Sequence, residues 1–249
     1  MAKDEAARRR AIRMQRFVLW LTKVWPLFVA GFFALYTLLP FVAPTLMHLG
    51  IIGPARVIYT VYSPMCHQFA FRSWFLFGEQ PAYPRAAAGV EALEPFESYA
   101  PQDMLFSEVG DLQPWTQDLQ LLSRSFVGNE QMGYKVALCE RDIAIYGALT
   151  LFALFFSIGY VRRRLGPAPI LLFILLGLGP IGLDGFSQLL SNPPFNFWPS
   201  RESTPLLRTV TGALFGLMCG WLAFPYLEEG MQESRQEILR KLRSIGELD

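Results

Sequence analysis

The sequence predicts an all-α polytopic membrane protein, a bundle of about four transmembrane helices plus a broken helical segment at the outer leaflet. Three observations predict it. Hydrophobic residues make up 52% of the chain and charged residues 17%, where a soluble domain carries roughly a quarter charged. The charges alternate in blocks with uncharged stretches long enough to cross roughly 30 Å of hydrocarbon at about 1.5 Å per residue. When those stretches are treated as spans, every basic cluster falls on one side of the bilayer. The net charge of +1 is a sum of signs segregated along the chain, so it marks no surface for nucleic acid.

Residues 1–16 form a basic N-terminus with Lys3, Arg8, Arg9, Arg10, Arg13 and Arg16. Within 17–78, residues 24–47 are long enough to span; Pro40, Pro44 and the length argue for an uncleaved anchor rather than a signal peptide. His48, at its end, reads as an interfacial residue. Residues 51–78 are ambiguous, because IIGPARVIYTVY is too short to cross and Ser63-Pro64 should break it from MCHQFAFRSWFLF. A full crossing would reverse the charge pattern, so the expectation is two short helices that dip into the outer leaflet and return. Irregular backbone at that depth needs protein or a water-filled cavity around it.

Residues 79–135 form an acidic extracytoplasmic insertion, with nine Asp and Glu against Arg85, Arg124 and Lys135. Lacking periodic elements, it reads as a partly ordered surface segment rather than a separate catalytic domain, or equally as a docking surface for an extracytoplasmic protein. Residues 136–227 hold a three-helix transmembrane core with spans at 142–161, 168–190 and 205–227. Arg162, Arg163 and Arg164 between the first two of these are cytoplasmic, as are both termini, in a multi-pass protein of the cell membrane. The tail 228–249 reads as an amphipathic helix with Ile238, Leu239, Leu242 and Ile245 on one side.

Depth along the spans collects polar residues in one layer. Asp184 lies about sixteen residues into the third span, roughly 24 Å across and near the outer end. Gln188 shares its face, and Arg208 and Thr211 enter the fourth span at matching depth. Cys139, Asp142 and Tyr146 follow i, i+3, i+7 spacing at the outer start of the second span, with Arg141 beside them. Cys66, His67, Gln68 and Arg72 come from the broken segment. An ionisable group in a span is a site hypothesis by default, and Arg208 is the expected partner of Asp184, as a site or as a structural pair.

For the cysteines four readings stand open: a disulfide between Cys66 and Cys139, a metal site of Cys66, His67 and Cys139 with Asp184, a thiolate nucleophile at Cys66 activated by His67 or Arg141, and thiols without chemistry. Zinc or copper would suit the donors, but adjacent Cys66 and His67 seldom point the same way. Cys219 reads as a packing residue. Gly212, Gly216 and Gly220 form a stripe that permits close helix contact, either within the chain or in a homo-oligomer. Phe195, Phe197 and Trp198 read as interface anchors.

These motifs resemble domain-of-unknown-function family 2085, prokaryotic predicted membrane proteins. The matching residues are Cys66-His67-Gln68 with Arg72-Ser73 and Gly78, Cys139-x-Arg141 leading to Tyr146, Asp184-Gly185 with Gln188, Ser203, and Arg208-x-x-Thr211-Gly212. Two departures from the pattern are the length of 79–135 and the run Glu140-Arg141-Asp142. The resemblance implies that the polar residues share one site and implies no particular reaction or cofactor. The sequence thus points to an outward-facing redox, metal or lipid-related site, with a non-catalytic subunit that assembles with partners as the alternative. A transporter is a weaker third reading, since four spans without an inverted repeat make a thin pathway.

Overall fold

The computed structural model describes residues 2–107 and 109–247. In chain order it has α1 (Ala2–His48), α2 (Ile52–Tyr62), β1 (Ser73–Leu76), the one-turn α3 (Phe96–Tyr99), α4 (Gln117–Ser125), β2 (Gly128–Asn129), β3 (Gly133–Cys139), α5 (Glu140–Ser157), α6 (Gly159–Arg164), α7 (Ile170–Ser191) and α8 (Pro205–Ser244). Three of these, α1, α7 and α8, are long and apolar enough to cross a membrane. The fourth expected span, α5, is uncharged except for Glu140, Arg141 and Asp142 in its first turn. It packs between α1 and α8. Much of what α7 presents is exposed Leu, Ile and Phe, as a helix facing lipid would.

Four prolines sit inside the two longest helices: Pro26, Pro40 and Pro44 in α1, and Pro225 in α8. Each lacks an N–H, so the carbonyl four residues back loses its helical donor. Three of those carbonyls are taken by other elements. Thr22 O accepts from Arg235 Nη2 at 2.6 Å, Tyr36 O from the Tyr62 hydroxyl at 2.9 Å, and Trp221 O from the Ala168 N–H at 3.3 Å. The breaks in the helical ladders are therefore docking points. Pro180 acts differently: the α7 backbone just before it widens into a π-helical stretch at Phe173–Leu178, the response expected where a proline interrupts the ladder.

The Gly212, Gly216 and Gly220 stripe lies inside the chain. A Cβ on Gly216 would sit 2.3 Å from Ile145 O, and one on Gly212 2.6 Å from Arg141 O. The seam is α5 against α8, so the stripe serves close helix contact within the chain.

The all-α expectation needs correcting, because an antiparallel three-stranded sheet of order β1-β3-β2 caps one end of the bundle. Ser73 pairs with Cys139 and Phe75 with Lys135. The second half of 51–78 is accordingly no helix: after α2 it forms a 3-10 turn at Ala70–Arg72 and then β1. Its backbone groups find β3, sixty-odd residues later in the chain, and a ladder satisfies them in place of a helix.

Nor is 79–135 a loosely ordered insertion. With the preceding residues it closes over a core of Phe69, Phe71, Phe75, Tyr83, Phe96, Phe106 and Phe126. Arg85 is 2% exposed in that core, where Nη2 donates to Leu112 O and Gln113 O and Nε to Glu97 Oε1. A buried guanidinium needs such partners. Thr116 caps α4 by accepting from the Leu119 N–H, as side-chain oxygens do at N-caps.

Candidate functional site

The polar residues meet where the sheet joins the bundle, in two adjoining clusters divided by the first turn of α5. Toward α7 and α8 that turn presents Glu140 and Arg141; toward α1 and α2 it presents Cys139 and Asp142.

Asp184, 4% exposed on α7, is the hub of the first cluster. Its Oδ2 accepts from Arg141 Nη2 and from Ser203 Oγ at 2.8 Å, and its Oδ1 accepts from both Nη atoms of Arg201 at 3.1 Å. The expected Asp184–Arg208 pair is not formed. Arg208 instead gives Nη2 to Glu202 Oε1 and to Gln188 Oε1 at 2.9 Å, with its Nε 3.9 Å from Glu140 Oε2. Glu202 Oε2 also accepts from Arg72 Nη2 at 3.0 Å. Gln188 joins the two halves, since its Nε2 donates to Asp184 Oδ2 at 3.2 Å. Thr211 has no part in this network; its hydroxyl donates to Leu207 O one turn back.

Four arginines (72, 141, 201, 208) thus face three carboxylates (Glu140, Asp184, Glu202), which leaves a positive excess when all are ionised. Both carboxylate oxygens of Glu140, and Nε of Arg72, Arg141 and Arg208, are buried without a hydrogen-bond partner among the described residues. Arg72 also lies 5.0 Å from the ring centroid of Trp115, within cation–π range. A cleft of about 170 Å³ opens between Arg72, Trp115, Arg141, Gly185, Gln188 and Asn192.

In the second cluster, Cys66, Cys139 and Asp142 each bring a ligand atom within 4.8 Å of the others. Cys139 ends β3 and precedes α5, so Asp142 follows on the same side of the helix start. Cys66 closes a turn after α2 through its N–H to Tyr62 O at 3.1 Å. Both thiols are free. The neighbouring Cys139 thiol holds Cys66 below the ordinary thiol range although burial and Asp142 act the other way. Cys139 is raised by its neighbour Cys66 and by burial. Tyr146 stands 4.5 Å, ring to ring, from Tyr36 and walls the cluster.

Gln68 holds the Cys66 turn. It adopts φ +54°, a conformation few side chains favour, and its Nε2 donates to Tyr59 O and Ala137 O at 2.9 Å each. His67 stands outside the grouped ligand atoms: it is exposed, and its ring tilts over Phe69 at 5.3 Å. Behind the turn, Lys135 is fully buried, with Nζ donating to Gln68 O, Ser123 O and Arg124 O. Desolvation pulls this amine down to about 7.

Glu202, Arg201, Glu140, Lys135 and Trp115 do not stand out as site residues in the sequence. A signal for the two acids does exist there: Arg72, Arg141 and Arg208 at one depth require carboxylates, and Glu140 and Glu202 flank those spans.

Residues 120–222 match the family model of DUF2085, described as a predicted membrane protein. That range runs from α4 into α8 and includes Cys139, Asp184 and Arg208; the Cys66–Arg72 motif lies outside it. Neither a curated protein nor a solved structure matches the chain.

Proposed function

We propose that the chain is a four-span protein of the cell membrane, with α5 as the fourth span and both termini cytoplasmic. In this reading its outward-facing arginine cleft binds the anionic headgroup of a lipid or lipid-linked envelope compound. One observation carries the reading. Arg72 and Arg141 converge on one cleft, each with one Nη committed to a carboxylate and an Nε that has no acceptor. Planar guanidinium forks with spare donors suit phosphate. The cleft wall includes Leu189 of α7, and the neighbouring Leu183 and Phe186 are exposed, so a headgroup could enter from the bilayer side. The orientation is supported by the basic N-terminus, Arg162–Arg164 and the C-terminal arginines, all distant in sequence from the acidic region.

The test uses Gly185, because a Cβ there meets only Arg141 Nη1 at 3.7 Å, an ordinary contact. Gly185→Ala should therefore fold and bind, whereas Gly185→Leu should fill the cleft. Protein in nanodiscs containing phosphatidylglycerol or phosphatidylcholine would be purified and its retained lipid quantified. Selective retention of the anionic lipid by wild type and Gly185→Ala, lost in Gly185→Leu and Arg72→Gln, supports the reading. Equal retention in wild type and Gly185→Leu overturns it.

A further inference from the structure

Beside the arginine cleft, and independent of what that cleft binds, the cysteine cluster has the donors and spacing of a metal centre. We propose that Cys66, Cys139 and Asp142 bind one thiophilic divalent cation, zinc by its chemistry, with the fourth coordination position left for water or a ligand. Zinc sits about 2.3 Å from thiolate sulfur and about 2.0–2.2 Å from carboxylate oxygen, so tetrahedral donors lie roughly 3.5–4 Å apart. The three donor atoms are already within 4.8 Å of one another.

The surroundings fit a bound cation in three ways. The Gln68 N–H donates to Cys66 Sγ at 3.4 Å, and such donation stabilises thiolate over thiol. The turn that presents Cys66 is held in advance by the two carbonyl contacts of Gln68, so little ordering is left for binding to impose. Charge is the third. Zinc with two thiolates and a carboxylate carries one net negative charge, and the two thiol protons leave to solvent. Lys135 is buried behind the Cys66 turn, with carbonyl partners and no carboxylate among the described residues. An anionic centre supplies the counter-charge that a buried ammonium otherwise lacks. A cleft of about 200 Å³ at Ser63, Pro64, Cys66, His67 and Arg124 reaches Cys66 from outside and gives an entry path.

Full-length protein would be purified from native membranes without added metal or chelator, and its metal content and free thiols counted. About one zinc per chain is expected in wild type and in His67→Ala, and none in Cys66→Ser or Cys139→Ser. Asp142→Asn should lose zinc to a chelator at least about tenfold more readily, since even outer-shell partners have effects of that size. A readout on the wild type covers variants that fail to fold: cobalt-loaded protein should show thiolate-to-metal charge-transfer bands, and X-ray absorption should count two sulfurs around zinc. Zinc content no higher than in the Cys66→Ser/Cys139→Ser double variant, cobalt without those bands, or two thiols that appear only after reduction would each overturn the proposal, the last by showing a disulfide in its place.

Discussion

The Tyr62 hydroxyl donates at 2.9 Å to the carbonyl of Tyr36, the very carbonyl that Pro40 leaves without a helical donor. The bond ties α2 to α1 directly behind the cysteine turn, and Tyr62 packs with Cys66, Ala137 and Leu138. A residue that weakens a helix thus supplies the acceptor that fixes the neighbouring element.

Removing that hydroxyl should expose the dependence. Tyr62→Phe leaves the Tyr36 carbonyl unpaired at a cost of about 1–3 kcal/mol. Pro40→Ala restores an N–H to it, so Tyr62→Phe should cost less in that background. Thermal unfolding of the four proteins in one detergent measures the coupling, and equal costs in both backgrounds would refute the account.

Helix approach gives a sharper contrast. Gly216→Ala places a methyl 2.3 Å from Ile145 O, where backbone must move, while Gly31 has open space around it. Overpacking of this kind costs about 1–3 kcal/mol, occasionally more. A lower melting temperature for Gly216→Ala, with Gly31→Ala close to wild type, is the expected pattern.

Glu202 stands between Arg72 and Arg208. Glu202→Gln leaves a buried guanidinium short of counter-charge and should destabilise by about 3–5 kcal/mol. Adding Arg208→Met removes the stranded charge and should recover part of the loss. Urea unfolding of the single and double variants decides it; a double variant less stable than either single one would count against the pairing.

Lys135 makes stability depend on pH in one direction. Unfolded, its amine holds a proton up to about 10.5; folded, burial lowers that to about 7. Between those values the unfolded chain binds more protons, so this residue's contribution to stability rises as pH rises from 7 to 10.5. Lys135→Met should remove that part of the slope, which unfolding midpoints measured across the window would show. An unchanged slope would mean that the carbonyl cage keeps the ammonium charged.

The topology can be read with single labels. Met104 is 91% exposed, so Met104→Cys should react with an impermeant maleimide in intact cells. Arg8→Cys should react only after the membrane is opened. The opposite pattern would invert the chain.

Much of the bundle was legible because span length and charge sidedness are local, additive properties of sequence. The first and last apolar blocks, the α7 span and the layer of Asp184, Gln188, Arg141 and Arg208 could be placed by counting residues. The partner of Asp184 could not, because equal depth does not distinguish arginines on different helices, and Arg201 reaches it from a loop. His67 illustrates the same limit: its neighbour Cys66 points inward, and at a turn the next side chain points out.

By itself the sequence determined that the chain partitions into a membrane and that Arg141, Asp184, Gln188 and Arg208 fall in one layer, since both follow from the transfer free energy of each residue and its depth along a span. Only the tertiary structure decided that 73–76 and 133–139 are strands of one sheet and that 79–135 closes over an aromatic core. It alone brought the ligand atoms of Cys66, Cys139 and Asp142 within 4.8 Å of one another. Those outcomes depend on which distant segment satisfies a given backbone or side chain, and no local pattern encodes that choice.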